Sequence, residues 1–402
     1  CRSCGGFGLH PVLDLGMMPH ADGFLSHEDL ADEEPRYPLE LAFCPDCTLV
    51  QILETVPPET LFGTDYPYYS SFSDTLLDHS RNNAFELIER CNLDSSSLVI
   101  ELASNDGYLL RNFVERGIPV LGIDPAPGPA RAAQDIGVAT MCEFFTEDLA
   151  RQLRDQSRCA DVMIANNVLA HVADTNGFVR GLHTVLKDTG TAVIEVPYVH
   201  ELVTKTEFDT IYHEHLCYFS VSSLDRLFRR HGLYLNDLRR LRIHGGSLRL
   251  FVQPFENVQP SVRAALAEEQ TLGIDRADYL DEFAGRVLAL RDDLFQLITR
   301  LHKRGATIAA YGAAAKGTVL LNYLRLDHSV VKYVVDRNVH KQGKYVPGVR
   351  IPIQDPSHLL EDQPDYVIML AWNFKDEILA QQHGYRHSGG RFIVPIPQPT
   401  IL

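Results

Sequence analysis

Short apolar runs alternating with helix-like segments occur twice in this chain, and no other feature restricts its folding as strongly. In the first round "SLVIELAS" reads as a buried strand, "GYLLRNFVER" as a helix, "GIPVLGID" as a strand and "GPARAAQDI" as a helix. "ADVMIANNVL" and "TGTAVIEVP" follow as strands with the helical "NGFVRGLHTVL" between them. Strands this apolar must be covered on both faces, which predicts a parallel sheet with helices above and below and with ligands at the carboxyl ends of the strands. "HGLYLNDL" and "GGSLRLFVQP" read as a closing antiparallel pair. A largely helical stretch over 258–304 then leads to a second round, "ATIAAYGAAAKG", "TVLLNYLRL", "VKYVVDRN", "PDYVIMLAWN" and "GGRFIVPIP". The fold class is therefore α/β with two Rossmann-like units, over 76–257 and 258–402, behind an N-terminal piece of different character. Two successive units suggest duplication, although no residue-level repeat supports it.

That N-terminal piece, 1–75, is irregular and has no long periodic segment, so it needs a staple. "CRSC" and "CPDC" supply one: Cys1 with Cys4 and Cys44 with Cys47 are two C-x2-C knuckles able to put four thiolates around one tetrahedral Zn2+. Four thiolates close the coordination shell, so the metal is expected to be structural, with catalysis elsewhere. The other four cysteines are dispersed, which suits reduced thiols better than a disulfide framework.

A chain of 402 residues exceeds what one core usually serves, in keeping with several domains. Its net charge of -16, with no basic run, argues against binding nucleic acid through the phosphate backbone. No apolar stretch is long enough to span a membrane and the N-terminus lacks a signal-like layout, so a cytoplasmic location is the default expectation, with no membrane partner. Oligomeric state is left open.

The first strand ends in "ELASNDGYLL", which puts Glu101, Ala103, Asn105, Asp106 and Gly107 in the turn before a helix. A dinucleotide site would carry G-x-G-x-x-G; here Ala103 stands where a glycine is expected and two carboxylates line the turn, which would repel a pyrophosphate. S-adenosylmethionine, with its sulfonium and ammonium and no phosphate, suits such a turn. Asp124, ending the second strand in "GIDPAPG", is placed to accept from ribose hydroxyls. Asn166, Asn167 and His171 in "NNVLAHV" add polar groups at the same edge.

"TIYHEHLCYFS", 210–220, follows the fifth strand and should reach that edge too. Its histidines are two apart, unlike the i, i+4 spacing of a zinc helix motif. Methyl transfer to carbon needs a base to remove a proton made acidic by a neighbouring carbonyl. A histidine can be that base, a glutamate can orient it, and a tyrosine hydroxyl can donate to the enolate oxygen.

In order along nearly the whole chain, "CRSCGG", "FCPDCTLVQ", "DYPYYSSFSDT", "ELASNDGYLL", "YHEHLCYFS", "HGGSLR" and "YGAAAKG" resemble the nucleotide-deoxysugar C-methyltransferases, which methylate C3′ of nucleotide-linked keto-sugars for antibiotic glycosides. The resemblance implies a zinc-binding N-terminal domain, a central S-adenosylmethionine domain, and a C-terminal α/β domain that helps hold a dTDP-linked keto-deoxysugar. It further implies His215 as the base, with Glu214 and Tyr212 in support and His213 as the alternative. Tyr66 or Tyr68 would lie near the sugar and His171 near its keto group. His244, Gly245, Ser247 and Arg249 of "HGGSLR" would form a site wall. Tyr311 and Lys316 of "YGAAAKG", Asp336, Trp372 and Asn373 would meet the nucleotide, Lys316 facing the diphosphate and Trp372 stacking on the pyrimidine. Two other classes compete: an NAD-dependent nucleotide-sugar oxidoreductase using "YGAAAKG" as its dinucleotide turn, and a non-catalytic zinc-knuckle module.

Overall fold

A computed structural model of the chain describes residues 1–61 and 69–402 and arranges them around three sheets. The N-terminal strands β1 (His10–Pro19), β2 (Arg36–Phe43) and β3 (Val50–Ile52) run antiparallel. The knuckles precede β1 and join β2 to β3, and they are tied to helices of the central unit. Asn176 Nδ2 donates to the Arg2 carbonyl at 2.9 Å, and Arg230 Nη1 donates to that of Ser3 at 2.6 Å.

The central sheet takes up β4 (Val99–Leu102), β5 (Val120–Ile123), β6 (Thr140–Met141), β7 (Ala160–Asn166) and β8 (Leu186–Pro197), all parallel. All four residues of β4 are buried, as the apolar run "VIEL" requires of a strand covered on both faces. The chain then leaves this sheet: β9, Cys217–Tyr218 of the histidine run, pairs antiparallel with β3, Val50 opposite Tyr218 and Gln51 opposite Cys217. A strand that the sequence placed within the central segment thus completes the N-terminal sheet. β10 (Tyr234–Leu241) and β11 (Ser247–Gln253) return as the expected antiparallel pair, giving the order β10-β11-β8-β7-β4-β5-β6. The order reverses between β4 and β7, and a crevice for ligands opens where such a reversal occurs.

Helices Pro260–Leu272 and Asp278–Lys303 lead to the third sheet, β12 (Ile308–Tyr311), β13 (Val334–Val335), β14 (Ile353–Gln354), β15 (Tyr366–Met369), β16 (Arg391–Val394) and β17 (Thr400–Ile401), parallel except for β17 and ordered β14-β13-β12-β15-β16-β17. It repeats a detail of the central sheet. Asp124, one residue past β5, accepts the N–H of Asn105 at 2.8 Å and of Ala126 at 2.9 Å. Asp336, one residue past β13, accepts those of Ala313 at 2.7 Å and Asn338 at 2.8 Å. Both first turns are therefore braced by an aspartate on the neighbouring strand, a likeness of backbone geometry that residue identity conceals. One continuous apolar core, with Leu41, Ile194 and Val334 among its members, runs through all three sheets. Among the described residues no helix is long and apolar enough to cross a membrane.

Candidate active site

The Sγ atoms of Cys1, Cys4, Cys44 and Cys47 lie within 4.8 Å of one another, with Cys1–Cys47 and Cys4–Cys44 at 3.5 Å. Thiolates about 2.3 Å from a tetrahedral zinc stand nearly 4 Å apart, so this cluster fits the ion. Burial and the neighbouring thiols push Cys47 up to about 12, and metal binding must therefore displace protons.

At the first turn of the central sheet, Ala103 and Asn105 adopt left-handed backbone, φ 52° and 49°, beside Gly107 at 75°. The conformation that usually calls for glycine is thus kept with an alanine, at about 1–2 kcal/mol of local strain. The turn is roofed by the segment after residue 68: Ser70 N–H donates to Asn105 Oδ1 at 2.9 Å and Ser71 N–H to Asp106 Oδ2 at 3.1 Å. Tyr69 stacks on His340 of the third domain, ring centroids 4.9 Å apart. Burial, then the charges of Asp124, Asp106 and Glu195, push Glu101 well above the carboxylate range. Burial also lifts Asp124 to about 6, against the two N–H groups it accepts. Glu101 Oε2, Asp106 Oδ1, Ser104 Oγ, Asn166 Oδ1 and Asn167 Oδ1 are buried and meet no hydrogen-bond partner among the described residues. Buried acceptors left waiting match a ligand bearing an ammonium and ribose hydroxyls, so the turn fits S-adenosylmethionine.

The histidine run lies over the same edge. His171 follows β7, its ring meets that of His215 edge to face with centroids 4.7 Å apart, and burial lowers it to about 4. His215 is oriented by the backbone: Nδ1 lies 2.9 Å from the Thr210 carbonyl, which can only accept. The proton is therefore on Nδ1, and Nε2 is the basic nitrogen, taking the Tyr212 hydroxyl at 2.9 Å. His213 turns the other way, its Nε2 donating to the Pro38 carbonyl at 3.1 Å and its ring packed edge-on against Tyr37. Glu214 does not orient His215 as the sequence suggested; its Oε1 lies 2.8 Å from His20 Nε2 in the N-terminal domain.

Several expected substrate contacts are built differently. Arg249, only 5% exposed, offers nothing to a ligand, because its guanidinium pairs with Glu195 at 2.6 Å and lies 3.2 Å from His79. Burial alone would raise Glu195, but His79 and Arg249 hold it below the usual carboxylate range. Ser247 Oγ donates to the Ile243 carbonyl at 3.1 Å inside the fold. Trp372 does not present a free face: its ring is buried under Lys316 Nζ, 4.6 Å from the centroid, and Nε1 donates to Asp209 Oδ2 at 2.7 Å. Lys316 donates to Asn373 Oδ1 at 2.7 Å and is held beside Asp209 and Glu207, so it serves buried carboxylates rather than an open diphosphate site. Asp336 is engaged in the brace described above, and Tyr311 donates to Gln381 at 3.3 Å. Gly245, φ 93°, lets the backbone after Arg242 pass Glu207, whose carboxylate oxygens would lie 2.5 Å and 2.6 Å from a Cβ there. His244 belongs to the same short helical turn, Ile243–Gly245. Tyr66 and Tyr68 lie outside the described residues.

Residue reasoning did not find His20, His79, Glu195, Glu207 or Asp209, each isolated in sequence from its partner. The quoted "DYPYYSSFSDT" was a signal for the roof at Ser70 and Ser71.

A reversed parallel sheet with an acid-lined first turn, a zinc-knuckle domain completing its sheet with the histidine run, and a second braced α/β unit together define a S-adenosylmethionine-dependent methyltransferase with structural zinc. Along the chain, three families match in succession: a zinc binding domain over residues 1–62, a methyltransferase domain over 76–238, and a C-methyltransferase C-terminal domain over 242–397. C-methyltransferase NovU of Streptomyces niveus is 36% identical over 405 aligned residues, which cover 100% of this chain and 96% of NovU. The chain belongs to this C-methyltransferase family. An ubiquinone biosynthesis O-methyltransferase of Azorhizobium caulinodans is 27% identical over 24% of this chain and 38% of its own. Among solved structures, 1,6-didemethyltoxoflavin-N1-methyltransferase of Burkholderia thailandensis aligns at 17% identity and a TM-score of 0.37, covering 54% of this chain and 96% of that one.

Proposed function

We propose that this enzyme methylates C3′ of a dTDP-linked 4-keto-deoxysugar, with His215 Nε2 as the base. The observation that carries the proposal is the fixed tautomer of His215, with Nδ1–H spent on the Thr210 carbonyl and Nε2 left basic beside His171 at the sheet edge. When bound, S-adenosylmethionine supplies an electrophilic methyl group on sulfonium and leaves as S-adenosylhomocysteine. His215 Nε2 would take the C3′ proton, the C–H electron pair passing into the enolate with its charge on the 4-keto oxygen, which makes C3′ the nucleophile for the methyl group that the cofactor would supply. Tyr212, whose hydroxyl rests on Nε2, turns to donate to that oxygen. His171, held neutral by burial, faces the keto group without adding a charge. Glu101, Asn105, Asp106, Asp124 and Asn166 would hold the cofactor. The similarity to NovU supports transfer to carbon; the sugar rests on the shared motifs.

The test is mass spectrometry of a panel of dTDP-4-keto-deoxysugars, with amine or hydroxyl at C3′, incubated with S-adenosylmethionine. One added methyl group at C3′ is expected. Without the methyl donor, deuterium from D2O should wash into C3′ with the wild-type enzyme and not with His215→Asn. Methylation by His215→Asn at the wild-type rate would remove His215 from the role, and no methylated sugar from any of the panel would sink the substrate assignment.

A further inference from the structure

The N-terminal domain reaches the histidine run by more than a shared sheet. β1 ends at Pro19, and the next residue, His20, brings Nε2 to 2.8 Å from Glu214 Oε1, with the two side chains only 18% and 3% exposed. At this distance a hydrogen bond and opposite charge both favour the pair. Burial alone would lower His20 and raise Glu214; their proximity reverses both directions.

Among the described residues, the other charged and titratable groups facing this pair are Asp22, His213, His171 and Tyr218, with Lys341 and Asp336 of the third domain acting through Asp22. Lys341 Nζ donates to the Ala313 carbonyl at 2.7 Å and stands 4.0 Å from Asp22, which leaves His20 as the cation in direct contact with Glu214. A buried carboxylate without such a partner is strongly disfavoured and must find another donor or take up a proton. Its neighbours along the chain are the imidazoles of His213 and His215.

We propose that His20 is a positioning residue for proton transfer at His215: it holds the Glu214 carboxylate toward the N-terminal domain, so that Thr210 orients the His215 ring and the neighbouring carboxylate does not capture it. This rests on the reading of His215 as the base.

The experiment uses the zinc-loaded full chain and compares His20→Gln, Glu214→Gln and the double variant with wild type, with His215→Asn as control. It follows S-adenosylhomocysteine formed with the dTDP-4-keto-deoxysugar that the wild type methylates. His20→Gln should lower kcat by roughly 10- to 100-fold, the scale of a misplaced catalytic group, while KM for S-adenosylmethionine stays within about twofold. The double variant should be no slower than the slower single, because the two residues act as one unit. A kcat within about twofold of wild type for folded His20→Gln, or losses that multiply in the double variant, overturns the proposal. If His20→Gln does not fold, NMR titration of histidine-labelled wild type replaces it. The pair is intact below the raised pKa of His20 and is lost as pH rises through it, so kcat should fall along that titration; a flat kcat across it overturns the proposal. If His215→Asn is inactive and His20→Gln is not impaired, only the role of His20 is lost. If His215→Asn keeps full activity, the mechanism itself fails.

Discussion

His171 and His215 meet edge to face with ring centroids 4.7 Å apart, although one follows a strand of the central sheet and the other lies in the run that completes the N-terminal sheet. Their meeting brings a basic nitrogen to the edge where the cofactor turn opens, and it distinguishes the two histidines of the run.

His215→Asn should lower kcat by about 10²- to 10⁴-fold, the usual contribution of a general base. His213→Asn should lower it by much less, and should cost about 1 kcal/mol of stability through the lost hydrogen bond to Pro38. Steady-state rates and urea unfolding of the two variants check this; equal loss of kcat in both would contradict the assignment.

Binding of S-adenosylmethionine should release a proton from Glu101. Burial and like charges hold this carboxyl protonated at pH values where an ordinary carboxylate is ionised, and a cationic ligand favours the ionised form. Affinity should therefore rise with pH up to the raised pKa of Glu101 and level off above it. Calorimetry in buffers of different ionisation enthalpy measures the proton count, and Glu101→Gln should abolish that release while weakening binding.

Stripping zinc with a chelator should abolish methyl transfer as well as loosen the N-terminal domain. Tyr218 pairs with Val50 in a sheet that the knuckles hold, and His215 is three residues away. Metal analysis should find one zinc per chain before treatment, and restoring zinc should restore activity if refolding succeeds. Undiminished activity in zinc-free protein would separate the run from the metal.

Trp372→Phe keeps an aromatic ring but removes the N–H that Asp209 accepts, and should cost about 1–3 kcal/mol at pH 7. Burial already raises Asp209 to about 6, with Lys316 and Trp372 opposing it. Without the donor the folded pKa rises further above the unfolded value, so the loss should shrink as pH falls from 7 toward 5 and the carboxyl takes up its proton. Denaturant titrations at the two pH values read the difference, and a loss independent of pH would assign it to packing alone.

The chain order of residues was enough to show the knuckle cysteines, the alternating strands, the acid-lined turn and the Tyr-His-Glu-His run, because each is a local pattern of spacing and side-chain type. Arg249 shows where local reading stops. A lone arginine near two glycines looks open to an anion, yet Glu195 on another strand neutralises it and His79 on a helix packs against it. Trp372 likewise looked like a stacking platform until the third domain folded against Asp209.

What the sequence determined by itself was therefore the kit: four thiols, two α/β units and an imidazole-rich loop. Tertiary structure decided which nitrogen of each imidazole donates and which carboxylate is paired. Those properties depend on the direction of a single carbonyl, Thr210 for His215 and Pro38 for His213, and on a counter-charge such as His20 brought in from a distant segment. Hydrogen bonds and desolvated charges act over a few ångströms in space, whatever the separation along the chain.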